Sequence, residues 1–330
     1  MYPWGNERRF HAYSHYCKTH FGGRIQKLPV DAGFSCPNRV NRSQDGCTYC
    51  ANNAFTPSYL TENNDVATQL ENGKRFFEKR YPSNNGYFAY FQAYTNTDAP
   101  LEVLRQKYEA ALQIPDIKGI IVSTRPDCLP DEVLDYLSEL NSHTYLTVEL
   151  GVESFHNETL VHIHRGHTVE CTFNAFEKLH SRNIPVGAHL IFGLPNEKPE
   201  QWLTDVQSLN ELRPQFVKFH QLQIFKNTAM EREYNDHPER FHPLSADEYV
   251  RFLCDYLERM SPEIVIERFS AEVPPRYLAV SQWNLVRHDA LVRKIEEELE
   301  RRDSWQGSVI HNLRFAGDVM RSKTAKTCEI

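Results

Sequence analysis

Runs of apolar residues bounded by turn formers alternate along this chain with longer stretches in which apolar positions recur every three or four residues. The runs read as strands: Gln26–Phe34, Tyr87–Ala93, Gly119–Thr124, Tyr145–Gly151, Pro185–Gly193 and Gln215–Ile224. The stretches between them read as helices. Leu101, Leu104, Tyr108 and Leu112 share one helical face, and Trp202, Val206 and Leu209 share another. Several strands are apolar almost throughout, as expected when helices cover both faces of a parallel sheet. Six such units in succession predict an α/β fold, a partial (β/α)6 TIM-like barrel.

After about Phe225 the alternation stops. A helical stretch (Ala246–Met260), a strand-like run (Glu263–Phe269), a proline-bearing loop and a helix with Leu291, Ile295 and Leu299 in register follow. These predict a small C-terminal α/β extension. Residues 1–25 then form a segment packed on the barrel, 26–230 the barrel, and 231–330 the extension, a candidate substrate-binding element.

Composition sets limits. The chain's 330 residues are 40% hydrophobic and 25% charged, ordinary for a globular protein with a sizeable core. No apolar run approaches the roughly 18 residues of a membrane span. The start lacks the basic and apolar regions of a secretory signal. The expectation is a cytoplasmic protein without membrane contact, whose thiols stay reduced. Its eight cysteines then point to metal or redox chemistry rather than to disulfides. A net charge of −7 excludes a wholly basic surface and leaves room for local basic patches. Arg314, Arg321, Lys323 and Lys326 crowd the C-terminal tail, which reads equally as a frayed, solvated end. Tyr2, Trp4, Phe10, Tyr13 and Tyr16 lie near Arg8, Arg9 and Lys18. That mixture suits either a nucleic-acid face or a segment packed on the barrel.

Three thiols are clustered. Cys36, Cys47 and Cys50 have the spacing C-x10-C-x2-C and follow the first predicted strand, in a βα loop of the kind that forms the functional face of such barrels. A structural zinc site calls for four nitrogen or sulfur ligands, and no histidine lies between Cys36 and Cys50. A thioredoxin-type pair leaves Cys36 unexplained. Buried structural thiols would not sit among Pro, Asn, Arg, Ser, Gln, Asp and Gly. A 4Fe–4S cluster held by three thiolates, with one iron open to a reactant, fits the residue types and their loop. Tyr49 is placed to wall one side of that reactant.

The motifs resemble a known family. KLPVDAGFSCPNR and GCTYC are joined by YFQAYTNTDAP (90–100), STRPDCLP (123–130), ELGVES (149–154), HRGHT (164–168), HLIFGLPNE (189–197) and VKFHQLQIFKNT (217–228). Their order and their places at strand ends resemble those of radical S-adenosylmethionine (SAM) enzymes. More narrowly, the chain is similar to the YhcC/YtqA-like branch, with its MnmL-type tRNA-modification proteins. The elongator catalytic subunit is a more distant likeness, through its own ELGVQS and RGHT phrases. The resemblance covers Gln26 to Trp283. The sequence departs from the family pattern in its loop VNRSQDG and in Glu153, where the wider superfamily often has glutamine.

This resemblance implies a radical SAM barrel in which Cys36, Cys47 and Cys50 bind one 4Fe–4S cluster and the open iron chelates the amino and carboxylate groups of SAM. Cleavage of the sulfonium then yields a 5′-deoxyadenosyl radical that abstracts hydrogen from an unactivated carbon. It also implies an electron donor such as flavodoxin or ferredoxin. The implied substrate is tRNA, with a carboxymethylaminomethyl group on a wobble uridine converted to an aminomethyl group. Gln92, Ala93, Thr95, Asn96 and Thr124 would contact the cofactor, although Thr-Asn-Thr-Asp is also good turn chemistry. Glu153 and Arg165 would hold its ribose and carboxylate, or take part in a surface or interhelix ion pair.

Weaker candidates remain. His189 and His220 lie on strands among apolar neighbours, and Cys128 stands alone; each reads more simply as a core residue than as a catalytic one. His162, His164 and His167 fall in the RGHT-type segment and read as a helix-to-loop passage rather than a metal cluster. Arg276, Arg287, Arg293 and Lys294 are candidates to line a lateral gap in the barrel, against the acidic run Glu296, Glu297, Glu298 and Glu300. Cys17, Cys171, Cys254 and Cys328 have no cluster spacing. Two other functions stay open: a radical enzyme acting on a small molecule or protein, and a non-enzymatic metal-binding module.

Overall fold

The structure, a computed structural model, describes residues 1–41, 44–60, 65–280, 283 and 286–310. Strand β1 (Gln26–Val30) leads into the cysteine loop, which holds a short antiparallel hairpin of β2 (Arg39–Asn41) and β3 (Gln44–Asp45). Then come β4 (Tyr87–Phe91), β5 (Ile117–Thr124), β6 (Tyr145–Glu153), β7 (Val186–Phe192), β8 (Phe216–Gln221) and β9 (Val265–Arg268). All but the hairpin join one sheet in the order β1-β4-β5-β6-β7-β8-β9, parallel at every step. The strand-like run Glu263–Phe269 is therefore the sheet's seventh strand, paired with β8, rather than part of a separate layer. Strand β1 stops at Val30, short of the expected Phe34. There the Asp31 backbone exchanges two 2.8 Å hydrogen bonds with the Gln69 side-chain amide.

Side chains alternate along the strands, as the pleat requires. Leu28, Ala89, Phe91, Ile120, Val122, Leu146, Val148 and Leu150 join the main core with the covering helices. A second apolar cluster, with Phe88, Ile121, Phe216 and Val265, fills the N-terminal end of the barrel. Helix Tyr13–Phe21 plugs that end. Tyr13 and Tyr16 meet Phe216 edge-on at 5.6 and 5.0 Å, and Phe21 meets Phe88 and Tyr145 at 5.2 and 5.0 Å. Tyr2 stacks on Trp4 at 5.5 Å, and Arg8 pairs with Glu296 at 2.5 Å. The N-terminal aromatics are packing residues.

The sheet curls. Its edge strands β1 and β9 are not hydrogen-bonded to each other, yet Lys27 on β1 forms an ion pair with Glu267 on β9 and reaches Glu149 on β6 at 2.9 Å. The expected Trp202 helix is two helices, Pro199–Thr204 and Val206–Leu212, divided at Asp205, whose carboxylate is bonded to His156 Nε2 at 3.0 Å. Helix Ala246–Arg259, opened by a Ser245/Glu248 capping box, packs against helix His288–Arg301, which buries Leu291, Ile295 and Leu299. No helix among the described residues is long and apolar enough to cross a membrane. The basic tail with Arg314, Arg321, Lys323, Lys326 and Cys328 lies outside the described residues.

Candidate functional site

The cysteine loop and the C-terminal ends of the strands enclose a cavity of about 220 Å³. Cys36, Cys47, Tyr49 and Cys50 line it from the loop, and Gln92, Thr95, Thr124, Glu153, Arg165, His189 and His220 from the strand ends and the loops that follow. Ala93, Asn96 and Cys128 are not on its wall. Asn96 is fully buried, and its side-chain amide donates to Phe91 O and Ser123 O at 2.9 Å, which is turn chemistry. Burial pushes the Cys128 thiol up to about 12, with Asp127 adding to the shift.

Nitrogen donors surround the clustered thiols. Cys47 Sγ accepts from Asn38 Nδ2 at 3.4 Å and Arg165 Nη1 at 3.7 Å, and Cys50 Sγ from Asn52 Nδ2 at 3.7 Å. Burial and the neighbouring Cys47 push the Cys50 thiol up, while the Arg39 guanidinium pulls it down. Donors of this kind stabilise thiolates, the form in which cysteine ligates metal. Three soft thiolates with N–H support fit an iron–sulfur cluster. Among the described residues, no three His, Cys, Asp or Glu side chains converge as around a single ion; the thiols line a wall rather than surround a point.

The facing wall is built around Arg165. Its guanidinium donates to Gly151 O at 2.7 Å and to His167 Nε2 at 3.0 Å, and pairs with Glu153 at 3.2 Å. Glu153 has φ +67° where the β6–β7 register shifts, which turns its carboxylate toward Arg165. Burial, with Arg165 adding to it, holds the His167 ring down to about 4. Nε2 accepts from Arg165, so the proton is assigned to Nδ1, which donates to Thr168 O at 3.2 Å. His162 instead pairs with Glu233 at 2.6 Å, and His164 is exposed. The three histidines do not form a cluster.

The floor of the cavity is a polar layer, of which the sequence singles out only His189. Glu149, 1% exposed, accepts from Lys218 Nζ at 2.5 Å, Tyr90 OH at 2.8 Å, Lys27 Nζ at 2.9 Å, His189 Nε2 at 2.9 Å and Ser123 Oγ at 3.2 Å. Burial would raise its carboxyl, but Lys218, Lys27 and His189 outweigh burial and hold it well below the usual range. Burial and Lys218 lower the His189 ring below its ordinary value, so it is neutral and donates through Nε2. The available signal was a charged residue interrupting apolar runs, in QKLPV, TVELG, FVKFHQ and IVIERF.

A second hollow of about 610 Å³ occupies the seam between β1 and β9. Lys27, Lys218, Glu267, Arg268, Glu272 and Arg276 line it, and it shares Phe55, Tyr90, Gln92 and Arg268 with the first cavity. Of the four basic residues expected at the gap, Arg276 is there. Arg287 lines a neighbouring hollow, Lys294 pairs with Asp247 at 2.7 Å, and Arg293 is exposed on its helix.

The profile of the Radical SAM superfamily matches residues 36–209, and that of the Radical SAM C-terminal domain matches residues 214–301. YtqA of Bacillus subtilis is 37% identical over 94% of this chain and 96% of its own length. A tRNA uridine(34) acetyltransferase of Methanocaldococcus jannaschii is 24% identical over 47% of this chain and 28% of its own. The solved structure of Methanocaldococcus infernus Elp3 shares the fold, with a TM-score of 0.65 at 17% identity, covering 86% of this chain and 64% of that one.

Proposed function

The chain belongs to the radical SAM superfamily, and from that premise we propose that it is a tRNA-modifying enzyme acting on the side chain of a wobble uridine, of the carboxymethylaminomethyl-to-aminomethyl type. The cofactors of this enzyme class are a 4Fe–4S cluster and SAM. When bound they supply a 5′-deoxyadenosyl radical, which removes hydrogen from an unactivated carbon; orientation and the exclusion of water fall to the protein.

In this reading Cys36, Cys47 and Cys50 hold the cluster, and Gln92, Thr95, Thr124, Glu153 and Arg165 bind SAM, with Tyr49 covering it. Arg165 is fixed by Glu153 and Gly151 O before any ligand arrives, so little side-chain entropy is lost on binding. The apolar cluster under the N-terminal helix and the buried Glu149–Lys218 pair fill the barrel below the cavity. The observation that carries the reading is the shared cavity, with three thiols on one wall and amide, hydroxyl, carboxylate and guanidinium groups facing them. The RNA part is supported by the relative named for tRNA uridine 34.

Two measurements test it. Reconstituted protein should hold about four irons per chain, and Ala at Cys36, Cys47 or Cys50 should abolish binding while Cys171→Ala should not. Iron and colour retained by the triple variant would overturn the cluster assignment. Mass spectrometry of tRNA nucleosides from cells lacking the gene should show a changed wobble uridine. Unchanged wobble uridines would favour a small-molecule or protein substrate instead.

A further inference from the structure

Arg268 stands where the two cavities meet and lines both. The other guanidinium groups on the first cavity's wall are engaged: Arg125 with Asp127 at 2.7 Å, Arg165 with Glu153 and Gly151 O, and Arg39 with Cys50 O at 3.5 Å. Arg268 has no hydrogen-bond or ion-pair partner among the described residues. Two more groups on the same cavity wall are buried without a partner, His220 Nε2 and Gln223 Oε1. Burial, and then the charge of Arg268, holds the His220 ring well below its ordinary value, so it is neutral. A half-buried cation beside an unpaired buried ring nitrogen is unfavourable unless a ligand completes both. The complementary ligand is an oxyanion, which accepts the guanidinium fork and leaves a lone pair for the imidazole N–H.

We infer that Arg268 binds an oxyanion of the substrate as it enters from the seam, with His220 as a second donor in the tautomer that carries its proton on Nε2. The inference rests on the proposed function in assigning the thiol side of the cavity to the cofactor and in taking the modified uridine as the probe. The carboxylate of SAM is the poorer match, because Arg268 also faces the seam, whereas Arg165 lies beside Cys47. Two sources of oxyanion share this chemistry: a carboxylate at the tip of the reacting side chain, and a phosphate of the RNA.

Equilibrium binding to the cluster-loaded protein with SAM and no reductant separates them. The probes are 5-carboxymethylaminomethyluridine, its methyl ester, which lacks the carboxylate, and anticodon stem-loops carrying either one at the wobble position. Wild-type protein should prefer the acid nucleoside roughly tenfold or more, Arg268→Gln should erase that preference, and Arg268→Lys should keep part of it. SAM affinity should not change in either variant, which also reports an intact fold. Equal weakening of acid and ester stem-loops in Arg268→Gln, at unchanged SAM affinity, would support the oxyanion site and name phosphate as its occupant. Probe binding that does not depend on Arg268, no measurable binding, or a loss of SAM affinity in Arg268→Gln would overturn the inference. Failure of the RNA reading alone looks different: stem-loops bind no better than nucleosides while the Arg268-dependent acid preference persists.

Discussion

Gly151 sets how closely the charged wall of the cavity can pack. A Cβ there would lie 2.3 Å from Arg165 Nη2 and 2.5 Å from Glu153 Oε1, so glycine is required for space. Gly151→Ala must push the pair aside, and overpacking of this kind costs roughly 1–3 kcal/mol. Because Arg165 also donates to Cys47, iron retention should fall together with the urea midpoint; an unchanged midpoint and iron content would show that the pair yields freely. His167 makes a second prediction at this scale. Its pKa is depressed from the ordinary 6.5 to about 4, so between those values the unfolded chain binds a proton that the folded chain refuses. Stability should therefore fall as pH drops from about 6.5 to 4, by on the order of 3 kcal/mol in all. His167→Gln should flatten that part of the profile in urea titrations at pH 7 and 4.5, and an identical slope in the variant would assign the acid sensitivity to other groups.

At the scale of elements, the interior of the curled sheet depends on charges that strands rarely carry. Lys27 on β1, Glu149 on β6, Lys218 on β8 and Glu267 on β9 form one buried network across the barrel. Glu149→Gln leaves the buried Lys218 and the half-buried Lys27 short of a counter-charge, a defect that costs up to about 3–5 kcal/mol. Ser245→Ala, which removes the cap of helix Ala246–Arg259, should cost about 1 kcal/mol. Chemical denaturation of the two variants should show that order; a Glu149→Gln loss no larger than the cap's would mean water reaches the network. The same elements show what the sequence makes legible. Apolar runs located the parallel strands, and the loop thiols located the cavity, because burial and cysteine spacing are both written locally. The polar layer was hidden because Lys27 and Lys218 look like solvent-facing residues until the sheet curls and turns them inward. The seventh strand was visible as a run, but its place beside β8 depends on long-range pairing that periodicity does not encode. Asn96 looked like a cofactor ligand from its strand-end position, and its burial under the turn depends on where β5 lies.

For the whole molecule, the consequential feature is that the sheet curls without closing. The edges β1 and β9 meet through side chains such as the Lys27–Glu267 pair, and a hollow lies between them. A chain of net charge −7 repels RNA at long range, so in the proposed reading the RNA loop is held by short-range cations at this opening. Lys27 and Lys218 are already committed to Glu149 and Glu267. Among the described residues, Arg268 and Arg276 are the lining cations without an acidic partner. Each phosphate neutralised on a single-stranded loop contributes a slope of roughly −0.7 to log K against log salt. One or two such contacts predict a shallow total, between roughly −0.7 and −1.4. Filter binding of a tRNA across a salt series measures it. Arg276→Gln should flatten the line while leaving SAM affinity intact, since Arg276 lies on the seam and not on the thiol cavity. A slope of zero would remove the RNA reading. A slope steeper than about −4, as for a protein gripping six or more phosphates, would place the main contacts on a surface other than the seam.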